Sequence, residues 1–282
     1  MNYRHAYHAG NFADVFKHAV LTRIVEYLKR KEAPFRVIDT HAGAGLYDLA
    51  GIEAARTGEW IGGAGRLMEA VLPQPAAGLL EPYLAVLRRH ASDGRPTAYP
   101  GSPALVRALL RRQDRLSVFE LQEQEHAALA RLFAGDFQAR VTRLDGWLVP
   151  GAHLPPKEKR GLVLIDPPFE MEGEFDRLRA ALARGDRRWP GGMFCLWYPL
   201  KDGRAVAAFI AALKAAAIAD LVRVEIDVRA PSDAGGLAGC GLVIKNPPFV
   251  LEAELAAFMP ALVEVLAQGE GAAWRFERLT GE

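Results

Sequence analysis

Seven apolar runs of strand length alternate along this chain with stretches of helical periodicity, and four of the runs end in an acidic residue. They are FRVID, ending at Asp39, LSVFE (116–120), ARVTRLD (139–145), GLVLID (161–166), MFCLWY (193–198), VRVEIDV (222–228) and GLVIKN (241–246). Strands alternating with helices demand a mostly parallel sheet covered on both faces, an α/β fold that binds its ligands beyond the carboxyl ends of the strands. The acidic strand ends Asp39, Glu120, Asp145 and Asp166 are the first candidates for such a site.

The elements around the first strand can be read in more detail. Asn11 followed by Asp14 resembles a capping box, and Phe12, Phe16, Val20, Ile24 and Leu28 keep helical spacing, so a first helix is expected up to Lys31. FRVID then runs into THAGAG, a small-residue loop with glycines at 43 and 45. Roughly 75 residues separate that loop from the strand ending at Glu120, where an ordinary crossover unit needs about 30. The surplus, about 51–99, contains the helix-like EPYLAVLRRH and the turn ASDGRP, and is expected to be a helical insertion within a single domain spanning 1–282.

Composition closes off several classes. The N-terminal MNYRHAYHAGNFADV carries charge and histidine where a signal peptide needs an apolar stretch, so a cytoplasmic location is expected. The most apolar helical stretch, from Ala205, is broken by Lys214 and Asp220, against a membrane span. Cys195 and Cys240 each lie inside an apolar run and read as core residues, not as a disulfide or a zinc site. His5, His8 and His18 have no cysteine close by, and no metal is expected. With 35 basic against 34 acidic residues, any nucleic acid must be gripped by a local patch, for which Arg4, Lys17, Arg23, Lys157, Lys159 and Arg160 are the candidates.

The loop Asp39–Gly45 brings backbone close to a bound nucleotide or amino acid, Gly43 and Gly45 leaving no side chain in the way. It lacks the third glycine of the dinucleotide fingerprint and the Gly-Lys-Ser/Thr ending of a P-loop. A sharper signal is DPPF, Asp166 to Phe169, at the end of the run GLVLI. Two prolines fix the backbone and remove amide donors, leaving carbonyl oxygens as acceptors. An exocyclic amine on a base is a poor nucleophile because its lone pair is delocalised into the ring. Acceptance of its N–H bonds by the Asp166 carboxylate and the Pro167 carbonyl would orient it and enrich the nitrogen in electron density. Phe169 offers a face on which a base can stack. NPPF, Asn246 to Phe249, could make similar contacts without the charge.

Taken together, YRHAYHAGNFADVFKH, DTHAGAG, YPGSP, LDG, LIDPPFEM, LWYP and NPPF resemble the RlmJ family, from Tyr3 to about Phe249. The resemblance implies a class I S-adenosylmethionine (SAM)-dependent methyltransferase fold, Rossmann-like, and N6-methylation of an adenine in 23S ribosomal RNA. It also implies SAM contacts at His18, His41, Ser102, Glu120, Asp145, Gly146 and Asp166, a catalytic Asp166, and an RNA role for Tyr3. The chemistry agrees: Glu120 could accept the ribose hydroxyls, Asp145 the adenine amine, and the loop at Gly43 could lie near the methionine part. Tyr3, His5, Tyr7 and His8 crowd the first ten residues with flat polar rings suited to an unstacked base. The family often has tyrosine at Phe169, so a hydroxyl contact is lost here while stacking is kept. The tail beyond Phe249 fits no part of the pattern. No protein partner is indicated. Methylation of another exocyclic amine, in DNA or RNA, and nucleotide binding without catalysis remain open at this point.

Overall fold

The computed structural model describes residues 4–230 and 236–281 of the chain. Its centre is an eight-stranded sheet: β1 (Arg36–Asp39), β2 (Arg115–Phe119), β3 (Ala139–Thr142), β4 (Gly161–Ile165), β5 (Met193–Pro199), β6 (Leu221–Asp227), β7 (Gly239–Lys245) and β8 (Ala273–Arg278). The order across the sheet is β8-β6-β7-β5-β4-β1-β2-β3. Strands β1 to β5 are parallel, whereas β7 enters antiparallel between β5 and β6. This is the class I SAM-dependent methyltransferase fold, with β8 added antiparallel on the β6 edge. Strand β8, AWRFER, lies in the tail that the motifs leave unread. It alternates apolar and polar residues, with Trp274 and Phe276 half-buried, as an edge strand with one covered face should.

Period-two alternation divides the core between the two faces of the sheet. Val37, Leu162, Leu164, Cys195, Leu242 and Ile244 point to one side, against α1 (Phe12–Lys29), α4 (Ala76–Arg88), α5 (Ser102–Leu109) and α8 (Leu251–Leu266). Ile38, Val163, Ile165, Phe194, Leu196 and Val243 point to the other, against α6 (Glu174–Arg188) and α7 (Gly203–Ala215). β4 is buried throughout, which is why GLVLI shows no polar alternation.

Helix α1 is buried along nearly its whole length. Asn11 Oδ1 accepts the amides of Ala13 and Asp14, each at 3.0 Å. The second half of the expected capping box is displaced by one residue, since Asp14 Oδ2 accepts the Gly10 amide at 2.9 Å and not that of Asn11. Between β1 and α5 the chain forms α2 (Ile52–Thr57), α3 (Ala64–Glu69) and α4, with two short antiparallel pairs, Leu46–Asp48 with Ala98–Pro100 and Ala91–Ser92 with Arg95–Pro96. Leu80, Tyr83 and Leu87 of α4 join the same core cluster as α1. No helix of the described residues is long and apolar enough to cross a membrane.

Candidate active site

The carboxyl ends of β1, β2, β3 and β4 open into one cavity of about 780 Å³, lined by Lys17, His18, His41, Gly43, Ser102, Glu120, Asp145, Gly146, Asp166, Pro167 and Phe169, whereas Asp39 is buried behind Ser102. Tyr3 lies outside the described residues.

One half of the cavity is built from backbone and carboxylates. Gly43 has φ of 59°, and a Cβ there would come within 2.2 Å of Tyr47 Oη. Its amide donates to Glu120 Oε2 at 2.9 Å, and Glu120 Oε1 accepts the Gln122 amide at 2.7 Å, so both oxygens of this strand-end carboxylate are held in place. ARVTRLD ends as a strand at Thr142, three residues short of the apolar run, because Asp145 turns aside to cap a short 3-10 helix, Gly146–Leu148, through the Trp147 amide at 3.0 Å. A Cβ on Gly146 would stand 2.2 Å from the Thr40 carbonyl oxygen and 2.7 Å from His41 Cε1, so the β1 and β3 loops meet with no room for a side chain. His41 bonds Thr40 Oγ1 through Nδ1 at 2.8 Å, and burial pushes its pKa down to about 4, leaving a neutral ring whose Nε2 is buried without a partner. Ser102 donates to Asp39 Oδ2 at 2.6 Å. Burial, aided by the nearby Asp166 and opposed by the Ser102 bond, raises the Asp39 carboxyl to about 7.

The other half holds the charged centre. Lys17 donates to Asp166 Oδ2 at 2.5 Å and to Asp14 Oδ1 at 2.9 Å. Burial works against a charged Lys17, but the Asp14 and Asp166 carboxylates outweigh it and hold its pKa well above the ordinary lysine value. Asp14 Oδ2 is bonded in turn to His5 Nε2 at 2.8 Å. Beyond Asp166, Pro167 and Pro168 continue the wall. Phe169, at a φ of 52° that a side chain rarely adopts, turns its ring edge to face against Phe175 and Trp197 with centroids 5.0 and 5.7 Å away.

The expected phosphate-gripping cations are placed differently from the sequence reading. Lys17 is 5% exposed and is paired with Asp166 in the cavity wall. Arg23 is buried against Glu254, and Arg160 donates to the carbonyls of Leu28 and Ala33. Lys157 and Lys159 precede β4, so they lie at its amino end, away from the cavity. Only Arg4, paired with Glu53, keeps an exposed guanidinium near the N-terminal segment. Two cations that line the cavity, Arg177 and Lys201, were missed. Lys201 follows the carboxyl end of β5, and the strand-end rule applied to LWYPLK would have found it.

NPPF is separated from DPPF by strand direction. β7 is antiparallel, and Lys245 at its end pairs with Phe194 at the start of β5, so Asn246–Phe249 emerges at the opposite edge of the sheet. There Asn246 Nδ2 donates to the carbonyls of Pro190 and Gly192, each at 2.8 Å. His5, His8 and His18 also part company, bonding Asp14, Glu59 and Tyr99 respectively, and no cluster of three or more metal-ligating side chains occurs among the described residues.

Comparison with known proteins identifies the family. The chain is 39% identical to "Ribosomal RNA large subunit methyltransferase J" of Escherichia coli, over 93% of this chain and 92% of that protein. It is 37% identical to the protein of the same name from Haemophilus influenzae, over the full length of both. A crystal structure of a protein from Legionella pneumophila, 32% identical, superposes with a TM-score of 0.87, covering 96% of this chain and 98% of that one. Residues 32–279 match the model of the family described as "Ribosomal RNA large subunit methyltransferase D, RlmJ", and the chain belongs to that family.

Proposed function

We propose that this protein is a cytoplasmic enzyme that methylates the N6 amine of an adenine in 23S ribosomal RNA, with SAM as methyl donor. The observation that carries the reading is the Lys17–Asp166 pair at the carboxyl end of β4, facing the glycine-lined half of the same cavity. That half fits the cofactor. Gly43 and Gly146 keep the walls free of side chains where a Cβ would collide, and two neutral imidazoles, His18 and His41, have a buried Nε2 unpaired. Glu120 would take the ribose hydroxyls and Asp145 the adenine amine, while Ser102 and Asp39 close the floor beneath them. When bound, SAM supplies an electrophilic methyl group on a sulfonium.

The remaining chemistry belongs to the chain. Lys17 holds one oxygen of Asp166, leaving Oδ1 to accept an N–H of the target amine. The Pro167 carbonyl accepts the second N–H, and the two acceptors set the nitrogen lone pair toward the methyl group. As the nitrogen becomes acidic on gaining the methyl, the N–H proton hydrogen-bonded to Oδ1 passes to that oxygen. Phe169, braced by Phe175 and Trp197, offers the stacking face for the base. Tyr3 completes the substrate side of this reading.

Transfer of tritium from labelled SAM should be measured on large-subunit rRNA from cells lacking this gene, and on DNA in parallel, with nucleoside analysis of the product. Label in N6-methyladenosine of 23S rRNA alone is expected. Label on another base, or on DNA with equal efficiency, would overturn the substrate assignment.

A further inference from the structure

Behind the cavity wall three buried rings form a hydrogen-bonded line that the reaction does not use directly. Tyr83 Oη, on α4, is 2.9 Å from Tyr99 Oη, which is 2.6 Å from His18 Nδ1 on α1. His18 lies stacked on Tyr99 with centroids 5.5 Å apart, and Tyr83 meets it edge-on. All three are essentially inaccessible, while His18 lines the cavity and its Nε2 has no partner. Burial, with Lys17 alongside, pushes the His18 pKa down to about 3, so the ring is neutral and carries one N–H.

The hydrogens can then be counted. If Nδ1 carries the ring hydrogen, it donates to Tyr99 and Tyr99 donates to Tyr83. The Tyr83 hydrogen is then stranded, because among the described residues its only hydrogen-bond partner is Tyr99, and a bare Nε2 is stranded as well. If both hydroxyls donate toward His18, a single group is left over, the Nε2–H at the cavity wall. We propose that Tyr83 and Tyr99 are positioning residues that hold His18 as its Nε2–H tautomer, a donor for the carboxylate of the methionine part of SAM. The assignment rests on the methyltransferase reading. The carboxylate follows from chemistry, since a neutral N–H donor pairs best with an anionic oxygen and SAM has only one such group.

Two-bond proton–nitrogen NMR of histidine-labelled protein without ligand, with His18→Gln to assign the signals, reads the tautomer directly. Hydrogen on Nε2 is expected, and hydrogen on Nδ1 would overturn the proposal. Tyr99→Phe keeps the stacked ring and removes the relay. Calorimetry should show S-adenosylhomocysteine binding weakened roughly tenfold, the scale of one hydrogen bond to a charged group, while methylthioadenosine, which lacks the carboxylate, binds within about twofold of wild type. Tyr83→Phe should act in the same direction and less. Equal loss for both ligands would make the tyrosines merely structural. A wild-type protein that binds neither nucleoside would sink the methyltransferase reading and the assigned ligand together, whereas normal wild-type binding that is unchanged in Tyr99→Phe overturns the relay alone.

Discussion

Replacing Asp166 by Asn separates the charge of the reacting carboxylate from its shape. Asn keeps the volume and one acceptor oxygen, but the Lys17 ammonium 2.5 Å away then faces an amide, and the amine of the target base loses an ionised acceptor. Removing one preorganised polar partner of a reacting centre costs roughly 100- to 1000-fold in turnover, or about 3–4 kcal/mol. Folding should suffer less. Deleting the sole partner of a buried ion costs about 3–5 kcal/mol, but Lys17 retains Asp14 at 2.9 Å, so a loss of about 1–2 kcal/mol is expected. Single-turnover methylation of large-subunit rRNA with tritiated SAM should fall at least about 100-fold, with S-adenosylhomocysteine affinity within roughly threefold of wild type. Asn246→Ala, which removes two bonds at the far edge of the sheet, should lower the melting temperature and leave the rate near normal. Asp166→Asn protein that is folded and retains more than about a tenth of the wild-type rate would refute the idea that the ionised carboxylate orients the amine.

Three further outcomes follow from the same geometry. Gly43→Ala must fit a Cβ where Tyr47 Oη stands 2.2 Å away, at a φ of 59°, so calorimetry should show cofactor binding weakened by at least about tenfold, and unchanged affinity would remove the loop from the cofactor cradle. Asp39 has a folded pKa raised to about 7, above its unfolded value, so the stability it confers is present in acid and lost as pH rises from near 4 through 7. Asp39→Asn should therefore gain in melting temperature relative to wild type at pH 8 compared with pH 4, and a gap independent of pH would contradict the burial argument. Arg177→Ala with Lys201→Ala should flatten the dependence of log Kd for RNA on log salt by about one per lost phosphate contact, whereas Lys157→Ala with Lys159→Ala, at the opposite edge of the sheet, should not.

The parallel part of the sheet could be read from sequence because four of its five strands, β1 to β4, advertise themselves twice, by an apolar run and by the acidic residue at or just beyond its end. Glu120, Asp145 and Asp166 needed only the rule that ligands gather at carboxyl ends to be placed on one rim, with Asp39 buried behind Ser102. What the sequence hid was direction and depth. NPPF and DPPF look alike as strings, yet the antiparallel entry of β7 puts them on opposite edges, and pairing direction depends on contacts far apart in the chain. Lys17 and Arg23 read as surface cations because lysine and arginine are rarely buried unless paired. Asp14 is a near partner of Lys17, but the partners that complete the burial, Asp166 and Glu254, lie 149 and 231 positions away. Strand β8 went unread because an edge strand with one half-covered face carries a weak apolar signal.

The depth of Lys17 also changes what the N-terminal segment can do. Three hydrogen bonds join it to the reacting carboxylate in series: His5 to Asp14, Asp14 to Lys17, Lys17 to Asp166. Burial opposes the charge on Asp14, yet His5 and Lys17 hold its pKa well below the ordinary aspartate value, so the carboxylate at the middle of the line remains ionised. The residues beside His5 are pinned as well. The Tyr7 carbonyl accepts from Thr57, His8 bonds Glu59, and the Gly10 amide bonds Asp14. An RNA that displaced His5 would leave Asp14 with Lys17 as its remaining charged partner and draw the ammonium toward it, weakening its hold on Asp166. An RNA that stacked against the segment without moving it would leave the line intact. On the proposed mechanism the segment need not touch the target base to affect turnover, because its docking onto α1 would set how firmly the acceptor oxygen of Asp166 is aimed.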